Sequence, residues 1–238
     1  MYCQKTSRIV INVIVAFSAA LLLASCSPVN QTRSLTFQPV FEGKKLNCTD
    51  SFNQSDKAWQ LSQLQFYVSE LSIYQNGERQ VVSLTPNHWQ NDGVTLIGGA
   101  CGGDVNWQLL FESSMPLSQQ VDKIEFTIGV PFEVNHLNPL TQSSPLNQSD
   151  MFWTWQLGHK FFRLDIKSEE MGWAFHSGSM GCESPSPMRT PKEACKLPNR
   201  AKVVLSDVDL NESISVDLTK LLSGIDLNES TRCMSSPD

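Results

Sequence analysis

The chain is short of charge. Only 18% of its 238 residues are Asp, Glu, Lys or Arg, and 18 basic residues face 24 acidic ones. No segment concentrates Lys and Arg, so the phosphate contacts that nucleic-acid binding needs are missing. Twelve Pro and thirteen Gly spread through the chain exclude long helices and coiled coils. There is no internal repeat, no Gly-rich phosphate loop and no C-x-x-C pair, which removes nucleotide-binding, zinc-ribbon and thioredoxin-like readings. Gly178-Ser179-Met180-Gly181 has the wrong spacing for a G-x-S-x-G nucleophile elbow. Asp207-x-Asp209-x-Asn211 begins like a calcium loop, but Glu212 and Leu218 fill the positions that require Gly and Glu. Glu169-Glu170 are adjacent on a turn and read as solvated. No nucleophile stands with a base and an orienting group, so the chain is expected not to be an enzyme.

What is present begins with an address. Lys5 and Arg8 precede an apolar run from Val13 to Ala24, broken only by Ser18, which is too short to span a bilayer and suits a leader. It ends in Leu23-Ala24-Ser25-Cys26, the pattern of a lipobox in which Cys26 is acylated and becomes the new N-terminus. Residues 1–25 are therefore read as a lipoprotein signal peptide and 26–34 as a polar tether. Ser27 carries no acidic retention signal. The expected product is a periplasm-facing lipoprotein of the outer membrane, held there by its lipid anchor only.

In an oxidising compartment, spaced cysteines are read as disulfides. Cys182 and Cys195 bracket a loop containing Pro185, Pro187 and Pro191, which a local bridge would staple. Cys48 and Cys101 then pair by elimination, leaving Cys233 as the odd thiol; four cysteines allow three connectivities, and loop geometry favours this one.

Strand patterns dominate residues 35–238. Ile124, Phe126 and Ile128 alternate with Lys123, Glu125 and Thr127, and Phe162, Leu164 and Ile166 alternate with Arg163, Asp165 and Lys167. Leu64, Phe66 and Val68 are followed by Leu71 and Ile73 on the other parity, which predicts a bulge near Ser69 or Glu70. Further strands are expected at 35–41, 80–84, 107–111, 201–208 and 213–216, with one short helix from Leu218 to Ser223 capped by Asp217 and closed by Gly224. The predicted fold is all-β, a single antiparallel β-sandwich or barrel-like domain with long ordered loops and disulfides. The loop from Val130 to Asp150 holds Phe132, Leu137, Leu140 and Leu146, so it is expected to fold over one end of the sandwich.

Four histidines are few enough to weigh singly. His88 lies in a polar Pro/Asn stretch and reads as exposed; His159 opens the strand containing Phe162. His136 and His176 stand apart, because each lies where a loop meets a strand, beside aromatics and near an expected disulfide. Trp153 and Trp155 share one parity of the run Met151–Leu157, the pattern of a core face.

Taken in order, Phe66-Tyr67-Val68-Ser69-Glu70-Leu71, Gly129-Val130-Pro131-Phe132 with Asn135-His136, Met151-Phe152-Trp153-Thr154-Trp155, Lys160-Phe161-Phe162-Arg163-Leu164-Asp165, and His176 with Gly178-Ser179-x-Gly181-Cys182 resemble the MbnP-like family, the four-Cys partner of the metallo-mystery pair. The resemblance covers essentially the whole mature chain. It implies a copper-binding periplasmic protein that works with a di-haem, cytochrome c peroxidase-like partner of the MbnH type, which oxidises a tryptophan to kynurenine. By position, His136 and His176 fall on the family's histidine motifs, and Trp153 and Trp155 on its tryptophan motif. Trp173 is a third candidate for modification through its nearness in sequence to His176. The chain departs from the pattern at His159, where an aromatic such as Tyr is usual, and at Met180, where Thr is expected; either could add a ligand. Two imidazoles with a weak neutral donor suit copper better than a hard cation. The competing readings are a structural or ligand-binding β-sandwich lipoprotein without metal, and a hydrolase with His136 or His176 as base.

Overall fold

The computed structural model describes residues 31–91, 93–228 and 232–234. The expected leader and Cys26, the expected lipidation site, lie outside the described residues, as does the side chain of Cys233. The chain runs β1 (Gln31–Phe41), β2 (Lys44–Lys45), β3 (Ser51–Gln54), β4 (Lys57–Gln75), β5 (Glu78–Gln80), β6 (Val82–Leu84), β7 (Gln90–Asn91), β8 (Val94–Ala100), β9 (Val105–Asn106) and β10 (Gln108–Ser113). It continues through β11 (Gln120–Ile128), α1 (Phe132–Asn135), β12 (Phe152–Thr154), β13 (Gly158–Lys167), β14 (Gly172–Gly178), β15 (Ala201–Asp209), β16 (Ser213–Asp217), α2 (Leu218–Leu221) and β17 (Arg232–Met234). Residues 31–34 were expected in the tether; they belong to β1, where Gln31 to Ser34 pair with Ser113 to Leu110 of β10.

Two sheets form an open, mostly antiparallel sandwich, as the alternating strands predict. The smaller is ordered β16-β1-β10-β6; the larger is built on β15-β11-β4-β13-β14-β17, with β8 also paired to β4. β4 is long enough to serve several partners because a bulge lets it change parity midway. Glu70 takes a left-handed φ of 57°, and the register to β11 shifts between Glu125 and Thr127. Phe66 and Val68 before the bulge, and Ile73 after it, all reach one core.

That core lies between the sheets, where Phe37 of β1 meets Phe66 and Phe126 edge-on at 5.6 and 5.9 Å. A second cluster gathers Trp59, Leu61, Leu164, Ile166 and Trp173 under Leu218 and Leu222. Helix α2 starts as predicted, with Asp217 accepting from the backbone N–H groups of Thr219 and Lys220, and Gly224 takes φ 75° just beyond it.

The opposite face of the large sheet is roofed by the 130–151 loop. Tyr67, Leu96 and Phe161 from the sheet are buried with Val130, Leu146 and Met151 from the loop. The loop is thus ordered and folded down as expected, but onto a face of the large sheet rather than an end of the sandwich, and by fewer anchors: Leu137 and Leu140 are 45% and 88% exposed. Cys48–Cys101 and Cys182–Cys195 are both bridged, the connectivity that loop geometry favoured.

Candidate metal centre

Strand alternation decides which side chains the roofing loop can meet. In β13 the even positions Phe162, Leu164 and Ile166 enter the cores, so Arg163 and Asp165 face the loop side. Arg163 stands opposite His176 of β14 and Gln65 of β4, which puts these three on one face. There Asp165 Oδ1 accepts from His176 Nε2 at 2.6 Å, while Oδ2 accepts from Arg163 Nε and Nη2 at 2.8 and 2.7 Å. Arg163 also donates to the Asp150 carbonyl at 3.1 Å, and Gln63 donates to the Asp150 carboxylate at 2.9 Å. Burial alone would raise the Asp165 carboxyl, but the His176 and Arg163 bonds outweigh it and hold the group below its ordinary value. In a neutral His176 ring, donation from Nε2 leaves the lone pair on Nδ1. An imidazole pinned by a carboxylate at one nitrogen with a lone pair on the other is how metal-ligating histidines are oriented.

Trp153 completes this face. A Cβ placed on Gly178 would come within 2.5 Å of Trp153 Cζ3 and 3.2 Å of Cη2, so the indole packs against the strand two residues beyond His176. Trp155 does not share that position. β12 ends at Thr154 and the chain turns, so the expected common parity of Trp153 and Trp155 is not realised. Trp173 is only 1% exposed and sits in the second core, on the strand face opposite His176; nearness in sequence is undone by alternation.

His136 occupies a different environment. It is the C-cap of α1, 1% exposed, with Nδ1 at 3.2 Å from the Trp155 carbonyl and Nε2 at 3.1 Å from Asn135 Nδ2. The amide of Asn135 cannot be the other way round, because its Oδ1 accepts the backbone N–H of His159 at 2.8 Å. Asn135 therefore donates to His136 Nε2, and His136 is the Nδ1–H tautomer. Burial lowers its pKa, partly opposed by the Trp155 carbonyl. Nε2 also lies 3.6 Å from Cys195 Sγ of the disulfide. Among the described residues no hydrogen bond or ring contact joins His136 to His176.

His159 is wholly buried between the carbonyls of Asn135 and Leu146, each 2.9 Å from a ring nitrogen. Burial pushes its pKa down, with the two carbonyls pulling the other way. Neither nitrogen faces outward, so the accessory role suggested for it has no free donor. Met180 forms a backbone bridge to Leu197. His88 is exposed, as expected. Sequence reasoning did not single out Asp165, Arg163 or Asp150: alternation alone assigns Arg163 and Asp165 to solvent, and only the roofing loop converts them into a partly enclosed polar ledge.

His176 with Asp165 fits a borderline or soft cation that accepts a neutral imidazole. The donor atoms of His136, Cys182 and Cys195 also lie within 4.8 Å of one another, but the bridged cysteines offer no thiolate. A roofed, two-disulfide β-sandwich with a carboxylate-pinned histidine on its covered face defines the class. The family model of MbnP matches residues 30–235, and the chain belongs to that family. Its fold is similar to that of MbnP from Methylosinus trichosporium, with a TM-score of 0.75 and 23% identity over 87% of this chain and 81% of that one. None of the curated proteins compared by sequence matches the chain.

Proposed function

We propose that this MbnP-family protein is a copper-binding, non-catalytic lipoprotein of the bacterial periplasm. In this reading a di-haem partner of the MbnH type oxidises one tryptophan to kynurenine, and copper is held by histidine together with the modified ring. The observation that carries it is the Asp165–His176 pair on the strand face that also receives Trp153. An intact indole offers only an N–H donor, whereas ring opening to kynurenine exposes an amine and a ketone with lone pairs. Trp153 is the tryptophan we assign to this role and His176 the principal ligand. His136, whose Nε2 already accepts from Asn135, joins only if that amide turns away.

The test is expression in a periplasm with and without the di-haem partner. Co-expressed protein should carry one copper and, at Trp153, the mass change for gain of O2 and loss of CO. H176A should lose the copper while keeping its β-sheet circular dichroism. Copper retained in H176A, or a modification mapped to Trp155 or Trp173, overturns the assignment. Cys26→Ser should release the protein from the membrane fraction or stall its processing; unchanged partitioning of a processed variant refutes the anchor.

A further inference from the structure

The disulfide beside His136 is more than a staple in its setting. Cys182 and Cys195 are 3% and 6% exposed, and His136 Nε2 lies 3.6 Å from Cys195 Sγ; its lone pair accepts from the Asn135 amide, which turns aside when a metal takes that place. The opposite nitrogen is fixed by the Trp155 carbonyl, which is the outer hydrogen bond a metal-bound histidine needs. With metal–sulfur and metal–nitrogen bonds of about 2.3 and 2.05 Å, a tetrahedral S–M–N edge is about 3.6 Å, and a trigonal one only slightly longer. Cys195 and His136 therefore stand at ligand spacing before any metal arrives. Cys182 and the other donors are within 4.8 Å.

We infer that Cys182, Cys195 and His136 are the latent ligands of a second, thiol-gated site for a soft d10 cation, closed for as long as their disulfide stands. Opening it takes two electrons and two protons from a dithiol of the thioredoxin class, which is itself oxidised to a disulfide while the Cys182–Cys195 bond becomes two thiols. Both protons then leave as the thiolates bind the cation. Two thiolates and one imidazole, poor in hard oxygen donors, select Cu(I) or Zn(II) over Mg(II) or Ca(II). A crevice of about 30 Å3, room for roughly one small ion or water, is lined by Phe132, Asn135, Ser179, Ala194, Cys195 and Arg200. Most of the loop between the cysteines is exposed, so the sulfurs can part without breaking a packed core. Its ligands do not include His176, and its presence does not depend on that reading.

The experiment uses H176A protein, in which the proposed first site is removed, purified from the periplasm. It is treated anaerobically with a phosphine reductant or left oxidised, loaded with Cu(I), desalted and analysed for metal. The reduced form should hold one Cu(I) per chain with a near-ultraviolet thiolate-to-copper band, and the oxidised form none. Adding H136Q or C195S to the reduced protein should weaken binding at least tenfold, which excludes capture by the thiols of Cys48 and Cys101. Zn(II) in place of Cu(I) should give the same dependence on His136. Three results overturn the inference: no uptake by reduced protein with an unchanged β-sheet spectrum, uptake indifferent to H136Q, or loss of that spectrum on reduction alone.

Discussion

Asp165 and His176 meet across the β13–β14 pair, with carboxylate Oδ1 2.6 Å from imidazole Nε2. The bond fixes both the ring's orientation and its tautomer, so its worth should appear in metal affinity more than in folding. D165N keeps the shape and an acceptor oxygen but loses the charge. We expect copper affinity to fall by about 10–100-fold, read by competition with a chelator, with the β-sheet spectrum unchanged. The same variant has an acid signature. Asp165 titrates below its ordinary value in the fold, so its stabilisation is complete above the unfolded value and is lost as pH falls through the folded one. The wild-type and D165N acid-unfolding curves should therefore converge at the acid end.

Gly178 is the floor on which Trp153 lies. A methyl group there meets the indole at 2.5 Å and the His159 carbonyl at 2.7 Å. The carbonyl belongs to backbone and cannot yield, so G178A should displace Trp153 from the strand. Kynurenine formation in co-expressed G178A should drop well below the wild-type yield, measured by tandem mass spectrometry. An unaltered yield at Trp153 would show that its seat on β14 is irrelevant to modification.

Asn135 ties together the buried knot. Its amide donates to His136 Nε2 and Ser179 Oγ and accepts from the His159 backbone, all inside the fold. N135A strands three buried polar groups at once. Each unsatisfied group costs roughly 1–3 kcal/mol, with water entry reducing the sum, so a loss of about 3 kcal/mol in urea-derived stability is expected. G158A should mimic it, since Gly158 takes φ 77° and its Cβ would meet the Asn135 amide at 2.5 Å.

The two disulfides close loops of unequal length, with sequence separations of 13 and 53. Loop entropy gives about 3 kcal/mol for the first and about 4 kcal/mol for the second. Removing Cys48 and Cys101 together should therefore lower the urea midpoint more than removing Cys182 and Cys195. The reverse order would mean that packing around the 182–195 bridge outweighs loop length.

Much of this fold was legible because half-buried strands announce themselves by alternation. β11, β13 and the parity change at Glu70 all follow from apolar spacing. β8 was not legible: Val94 to Gly99 are all buried, so it carries no alternation. Its Gly98 reads as a loop residue, yet a Cβ there would come within 1.9 Å of the Leu64 carbonyl, so the glycine is demanded by close pairing with β4. Helix α1 is four residues behind Pro131, too short for a periodic signal. Of the site, the histidines and tryptophans were visible as motif residues. Their partners were not, because the meeting of His176 with Asp165 depends on a cross-strand register set by the turn at 168–171. That His136 bonds Asn135 and the Trp155 carbonyl while His176 bonds Asp165 is likewise a property of the roofing loop.

The buried histidines predict how stability responds to mild acid. Burial depresses the pKa of both His136 and His159 in the fold. Between their folded values and the ordinary value near 6.5, the unfolded chain binds protons that the native protein does not. Stability then rises with pH across that window, so it is complete above about 6.5 and declines below it. One such histidine contributes a slope of up to about 1.4 kcal/mol per pH unit within its window, and two contribute up to twice that. Urea denaturation from pH 7.5 to 5 should show this decline in metal-free protein with both disulfides intact. H159Q removes one titrating group while keeping a donor and an acceptor, and should flatten the slope even if it lowers the plateau. A profile flat from pH 7.5 to 5 in the wild type would mean that the carbonyls around His159 and His136 hold both rings at their unfolded proton affinity.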